Sequence, residues 1–328
     1  MSETATPSLR NRSTEALLHN PALGPLAALI LAMIVFSATT STFLTVDNLS
    51  LVVQQSLVVA TLALGQTLIV LTGGIDLANA AIMVLGTMVL ARLVINGSNS
   101  VVALIAGFLV CAALGAISGG LVTMLNLPPF IVTLGMLTVI LAAGRLYSEG
   151  NSYPVTDNLL GILGQGGYLF GQIKVTHGMT LAVVMFAVTW YALTRTAWGR
   201  HVYALGNDPE AARLTGIRVG RTRFSVYLVA GVIYAFAAWQ ALGRIPNADP
   251  NAFQTGNLDS ITAVVIGGTS LFGGRGSVMG TVVGALIVAV LRSGLTQAGI
   301  DSLYQDVATG VLVIAAVAFD QVVRRRSR

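Results

Sequence analysis

Residues 100–125 read SVVALIAGFLVCAALGAISGGLVTML, without one charged side chain. A helix rises about 1.5 Å per residue and a bilayer core is about 30 Å thick, so roughly 20 apolar residues cross it. This stretch is long enough, and it sets the yardstick for the rest of the chain. The same measure finds candidate spans at 23–41, 51–72, 79–96, 130–147, 178–194, 224–243, 258–272, 277–298 and 303–323. Glycine-rich joints interrupt 79–96 and 258–272. The expected fold is therefore all-α: a polytopic transmembrane bundle of about ten spans. Composition agrees, since 55% of the 328 residues are hydrophobic and only 9% are charged. Soluble domains carry about 25% charged residues.

Arginine placement predicts the orientation. With the N-terminus in the cytoplasm and spans alternating, inner segments hold Arg10, Arg12, Arg195, Arg200, Arg213, Arg218, Arg221, Arg223, Arg275, Arg324, Arg325, Arg326 and Arg328, which is 13 of the 18 basic residues. The other five, Arg92, Arg145, Lys174, Arg244 and Arg292, fall on outer loops or toward the outer halves of spans. This bias follows the positive-inside rule with both termini cytoplasmic. The expected organisation is a cytoplasmic tail over 1–22, a membrane domain over 23–323 and a basic tail over 324–328. A long outer loop covers 148–177, and a long inner loop covers 195–223.

Several function classes drop out. The net charge of +5 does not point to nucleic acid, because the arginines sit between apolar runs rather than along one face. Cys111 is the lone cysteine and lies inside an apolar run. His19, His177 and His201 show no shared metal-ligand spacing. The first apolar run has no clear cleavage site after it, so it reads as an uncleaved span. A phosphate-binding loop needs glycines followed by Lys and Ser or Thr, yet Val175 follows the single lysine, Lys174. No cofactor or metal is expected on this chain.

Three features carry chemistry. Residues 207–216, NDPEAARLTG, read as a short helix on the inner loop. Asp208 is placed to cap it, Pro209 suits its first position, Glu210 complements the positive end, and Gly216 supplies a left-handed stop. Its weak apolar content, chiefly alanine and Leu214, favours seating against a partner protein over resting on lipid. Second, Gly73-Gly74-Ile75-Asp76-Leu77 places an acid beside a span. Asp76 either hinges a broken helix near a pathway or caps the third span in the ordinary way. Gly267-Gly268-Thr269-Ser270-Leu271 echoes this segment, and repeated interrupted segments often mark a transport path. Third, Gly115/Gly119 and Gly280/Gly284 form GxxxG pairs, read as close helix packing.

Taken together, LTGGIDL at 71–77, LPPFIVTLGM at 127–136, TAWGR at 196–200 through Glu210-Ala211-Ala212, and ITAVVIGGTSLFGGRG at 261–276 resemble the ribose-type permeases of bacterial ABC sugar importers. The likeness runs from about residue 45 to the C-terminus and is greatest to permeases for fructose. One departure stands out: family members continue Gly-Gly-Ile-Asp-Leu with Ser-Val-Gly, whereas this chain has Ala78-Asn79-Ala80. The resemblance implies a membrane permease subunit in the cell (inner) membrane that translocates a monosaccharide, fructose or ribose. It also implies a second permease copy, a cytoplasmic and often tandem ATPase holding ATP and magnesium, and an extracytoplasmic sugar-binding protein. Asn207, Asp208, Pro209, Glu210, Ala211, Ala212 and Arg213 would couple to the ATPase. Gly73, Gly74, Asp76, Gly267 and Gly268 are hinge or gate candidates. A neutral sugar needs hydrogen bonds along its path, for which Gln54, Gln55, Gln66, Thr67, Asn126 and Thr133 are candidates. The alternative is an ion-coupled secondary transporter with its ion site near Asp76. A third reading, a purely structural membrane scaffold, is disfavoured by the broken, glycine-rich spans.

Overall fold

The computed structural model describes residues 23–169 and 173–326. The expected tail over 1–22, with Arg10, Arg12 and His19, lies outside the described residues, as does Arg328. Among the described residues five helices come first: α1 (Leu23–Thr39), α2 (Val46–Leu71), α3 (Asn79–Ile95), α4 (Ser100–Met124) and α5 (Pro129–Ser148). After a loop with its own small elements come α7 (His177–Arg195), α8 (Ala197–Asn207), α9 (Pro209–Leu214) and α10 (Val219–Arg244). The chain closes with α11 (Gly256–Ile266), α12 (Val278–Gln297) and α13 (Ser302–Arg326). A helix therefore overlaps each of the ten expected spans.

Local chemistry explains where these helices start. Thr45, Asn99 and Ser277 cap α2, α4 and α12 by accepting from the amides of Asn48, Val101 and Gly280 at 3.4, 2.8 and 3.0 Å. Pro129 occupies the first turn of α5, where its missing N–H costs nothing.

Among the described residues six helices, α2, α4, α5, α7, α10 and α12, are long and apolar enough to cross a membrane. Four apolar helices are shorter: Gly24–Thr39 within α1, α3, α11, and Ser302–Ala318 within α13. The eighth expected span is corrected here. The sequence predicts it over 258–272, but α11 stops at Ile266 and is roughly 16 Å long. Gly268 ends it, with φ of +83°. The interior and the lipid face divide the long helices. In α2 and α10, 72% and 67% of the apolar window is buried, against 22% in α4 and α5. Thus α2 and α10 form the centre, packed on one another, on α3 and α4 at one side and on α11 and α12 at the other.

Small residues permit this packing. A Cβ on Gly115 would lie 2.5 Å from the Tyr227 carbonyl, and one on Gly284 would lie 1.9 Å from the Ala263 carbonyl. Both GxxxG pairs are thus close-packing surfaces, α4 on α10 and α12 on α11. Cys111 is buried between α3 and α4, with its thiol toward the Ile82 carbonyl.

The all-α expectation needs one amendment. The loop after α5 contains β1 (Tyr153–Pro154), a single turn α6 (Asn158–Gly161), and a hairpin of β2 (Gly166–Leu169) and β3 (Ile173–Thr176). β1 pairs antiparallel with β4 (Asn247–Ala248), tying this loop to the one after α10. These strands are two to four residues long, too short for a periodicity to register in sequence.

Candidate coupling site and translocation path

The loop over 195–223 is more ordered than its sequence signals. Besides the expected short helix, residues 197–207 form α8, where the sequence predicts loop. Thr196 caps it, and the Trp198 indole donates to Ser225 Oγ at 2.8 Å, fastening α8 to α10. α9 then forms as expected, though it is only six residues long. Asp208 Oδ1 accepts from the amides of Glu210 and Ala211 at 2.9 and 3.0 Å. Pro209 takes the first position, and Gly216 is left-handed at φ of +87°. Ala212 is buried and seats the helix. Its outer face presents Leu214, 79% exposed, beside the exposed ion pair Arg213–Glu210 at 2.7 Å. An apolar knob rimmed by two opposite charges is an addressable protein surface.

α8 joins α9 to both glycine segments. The Gly274 amide donates to the Leu71 carbonyl at 3.0 Å, and Tyr203 on α8 donates to the Gly276 carbonyl at 3.0 Å. A Cβ on Gly206 would sit 1.8 Å from the Leu71 carbonyl and 2.5 Å from the Gly274 amide. A Cβ on Gly274 would meet the Asn207 Cα at 2.8 Å. Three backbones thus touch directly at the end of the bundle that carries α9. Only glycines allow such an approach.

The two glycine segments close their helices alike, but one residue out of the register read from sequence. The Gly73 and Gly74 amides bond to the Val70 and Ile69 carbonyls, ending α2. The Gly268 and Thr269 amides bond to the Val265 and Val264 carbonyls, ending α11. This is the Schellman closure, and its left-handed residue is Gly73 in one case and Gly268 in the other. Gly267 stays right-handed; it is needed because a Cβ there would strike the Gly280 carbonyl at 2.4 Å.

After Gly73 the chain turns back into the bundle as an extended segment. The ordinary-cap reading of Asp76 is corrected, because the N-cap of α3 is Ala78 and no side chain caps it. Asp76 Oδ1 instead accepts from the Ala78 amide at 2.8 Å, and Oδ2 accepts from the Tyr234 hydroxyl at 3.1 Å. Asp76 is 1% exposed. Tyr234 lies about 22 Å along α10 from its start, so this acid sits deep in the bundle. Neighbouring side chains satisfy the irregular backbone. Thr133 Oγ1 donates to the Ile75 carbonyl at 2.9 Å, and Asn257 Nδ2 donates to the Leu77 carbonyl at 3.2 Å. The Gln66 amide, with its nitrogen turned inward, meets the Asp76 carbonyl and N–H at 3.0 and 3.2 Å. Non-helical backbone at membrane depth requires such partners.

The model of the family described as the branched-chain amino acid transport system permease component matches residues 48–317. The fructose import permease of Rhizobium meliloti is 43% identical over 316 residues, which cover 94% of this chain and 88% of that protein. The ribose import permease of Bacillus subtilis is 36% identical, covering 91% and 92%. The galactose/methyl galactoside import permease of Escherichia coli is 33% identical, covering 91% and 93%. No solved structure matches the chain.

The chain belongs to this permease family. As such it is a multi-pass membrane protein and a transport component rather than an enzyme. The ion-coupled alternative is not favoured, since these relatives are named as permease proteins of sugar import. Within the permease, the expected path residues divide. Gln66 and Thr133 are committed to the Asp76 segment, and Thr67 bonds Thr281 across α2 and α12 at 2.6 Å. Asn126 is an exposed left-handed residue in the α4–α5 turn, at φ of +51°. Gln54 bonds Ser50 at 3.2 Å, whereas Gln55 faces a cavity of about 560 Å³ at the end of the bundle remote from α9.

Proposed function

We propose that this permease imports a monosaccharide, with fructose or ribose as substrate, as the membrane subunit of an ATP-driven complex. The observation that carries this reading is the 43% identity, over 94% of the chain, to a permease named for fructose import. Relatives named for ribose and galactose uptake keep the ligand within the sugars.

The sequence contains no phosphate-binding loop, so ATP and magnesium belong to a separate ATPase, single or tandem. Two permease copies form the path, and an extracytoplasmic binding protein delivers the sugar. The α9 surface from Asn207 to Arg213 receives the ATPase, and both termini face the cytoplasm. The bundle crosses about ten times, with α3 and α11 completed by their glycine segments as broken spans. The host membrane is the cell inner membrane.

The mechanism is alternating access. Closure of the ATPase pair moves α9. Its motion passes through α8 to Leu71, Gly73 and Gly274, because these backbones are in contact. The glycine joints supply the torsional freedom, and the long helices move as rigid bodies. ATP biases the equilibrium only by binding the two states unequally. The test is uptake into vesicles containing the permease, with and without its ATPase and binding protein. Uptake of fructose or ribose that requires both partners and ATP is expected. Uptake by the permease alone, following an ion gradient, would overturn the reading.

A further inference from the structure

We infer that the cavity remote from α9 is where the permeating sugar is held, with Asp259 and Arg292 as the residues that contact its hydroxyls. This rests on the importer reading and assigns its substrate site. The cavity lies between α2, the connection from α10 to α11, α11, α12 and α13. Its volume of about 560 Å³ falls within the range of small-molecule sites.

Four charged residues line it: Arg244, Arg292, Asp259 and Asp306. Two cations and two anions cancel, which suits a neutral polyol better than an ion. The central pair is built into the bundle. Arg292 Nη2 donates to Asp259 Oδ1 at 2.8 Å, to Thr255 Oγ1 at 2.9 Å and to Asp306 Oδ1 at 3.3 Å, and Nε also reaches Asp259 Oδ1. Both Arg292 donors to Asp259 converge on one carboxylate oxygen. Among the described residues, Oδ2 takes no hydrogen bond, although Asp259 is only 5% exposed. The amide of Gln55 likewise has no protein partner among the described residues. A carboxylate oxygen accepts from a sugar hydroxyl, and a guanidinium beside it donates to the next, the pairing that vicinal hydroxyls require. A buried ion pair is poor evidence for stability, since apolar replacements of like volume are often as stable. Its presence in a lipid-embedded bundle calls for a use.

A second observation is independent of charge. Phe253 lines the same cavity with φ of +53°. A bulky non-glycine residue in the left-handed region is strained, and such strain gathers at ligand sites. This conformation places an aromatic residue, packed on the main hydrophobic cluster, in the wall of the cavity, where it offers an apolar surface to a pyranose or furanose.

The test uses the complete complex in vesicles, with labelled fructose and ribose. Gln55→Cys is treated from the binding-protein side with a charged methanethiosulfonate reagent. Wild type is the control, since Cys111 is fully buried. Modification is expected to cut uptake roughly tenfold, because the attached charged group occupies the cavity. Sugar-loaded binding protein should slow the modification, and the sugar-free protein should not. In parallel, Asp259→Asn should lower uptake while leaving ATP hydrolysis stimulated by the loaded binding protein. If Asp259→Asn fails to assemble, the Gln55→Cys result decides. Unchanged uptake after confirmed modification, or a modification rate indifferent to sugar, would overturn the assignment. Failure of the wild-type complex to import any sugar would instead overturn the importer reading.

Discussion

At the scale of single residues, glycine serves two physical purposes that sequence alone does not separate. Gly206 is a contact glycine: a Cβ there would collide with the Leu71 carbonyl and the Gly274 amide, both immovable backbone. Gly73 is a torsion glycine: its φ is +75°, but its nearest neighbour, the Phe272 carbonyl, is 3.6 Å from an added Cβ. Gly206→Ala should therefore destabilise the permease by about 1–3 kcal/mol or more through overpacking. Gly73→Ala should cost about 1–2 kcal/mol through torsional strain, and Gly73→Asn less, because Asn tolerates the left-handed region. Thermal unfolding of detergent-solubilised protein checks both, and equal losses for Gly73→Ala and Gly73→Asn would refute the torsional account. Asp76 gives a second contrast. Asp76→Asn keeps an oxygen for the Ala78 amide and offers an N–H to the Tyr234 hydroxyl, so stability and uptake should survive. Asp76→Leu leaves both buried donors unpaired, at about 1–3 kcal/mol each. Loss of uptake in Asp76→Asn with normal assembly would revive an ion-coupled mechanism. Asp76 was legible as an acid beside a span, but its partner Tyr234 is 158 residues away and carried no local signal.

Elements inherit these constraints. α9 has six residues and no stability of its own, so its cap, its proline and the docking of Ala212 hold it. The cap and the proline were readable in sequence because each acts within four residues, whereas the burial of Ala212 depends on the surrounding fold. The Glu210–Arg213 pair is exposed on both sides, so replacing either with Ala should change stability by less than about 0.5 kcal/mol. Reversing both charges keeps the pair but inverts the face shown to a partner. Coupled uptake should then collapse while the purified permease melts as before; normal uptake would remove α9 from the coupling role. On the loop after α5, the Ser100 hydroxyl donates to Asp157 at 2.6 Å and holds its carboxyl below the ordinary carboxylate range, helped by the amides of Leu160 and Leu159. A depressed acid contributes stability that is present above its unfolded pKa of about 3.9 and is lost as pH falls through its folded value. The melting temperature should thus fall in the acid range below pH of about 4. Asp157→Asn should flatten that part of the profile, and a wild-type slope retained in Asp157→Asn would refute the link.

For the whole molecule, the decisive quantities are which helices lie at the centre and which ends meet. The ten helices were legible because each carries an apolar run, and a helix in lipid must satisfy every backbone group within itself. Their starts and stops followed from caps, prolines and glycines close by in the chain. The family was legible as well, since its motifs are contiguous. α8 was missed because its charged and aromatic residues read as loop, and only packing on α10 reveals it as a helix. The short strands were missed because two residues have no period. The cavity was missed too, although a trace of it was present: Arg244 and Arg292 stood outside the positive-inside pattern, and both line it. What the sequence by itself determined is everything governed by the bilayer and by neighbours a few residues apart. Only the tertiary structure decided the rest: the three-way contact of Leu71, Gly206 and Gly274, the bond from Tyr234 to Asp76, and the pairing of Asp259 with Arg292. Those contacts join residues tens to hundreds of positions apart. Their geometry depends on how whole helices pack, which no local pattern encodes.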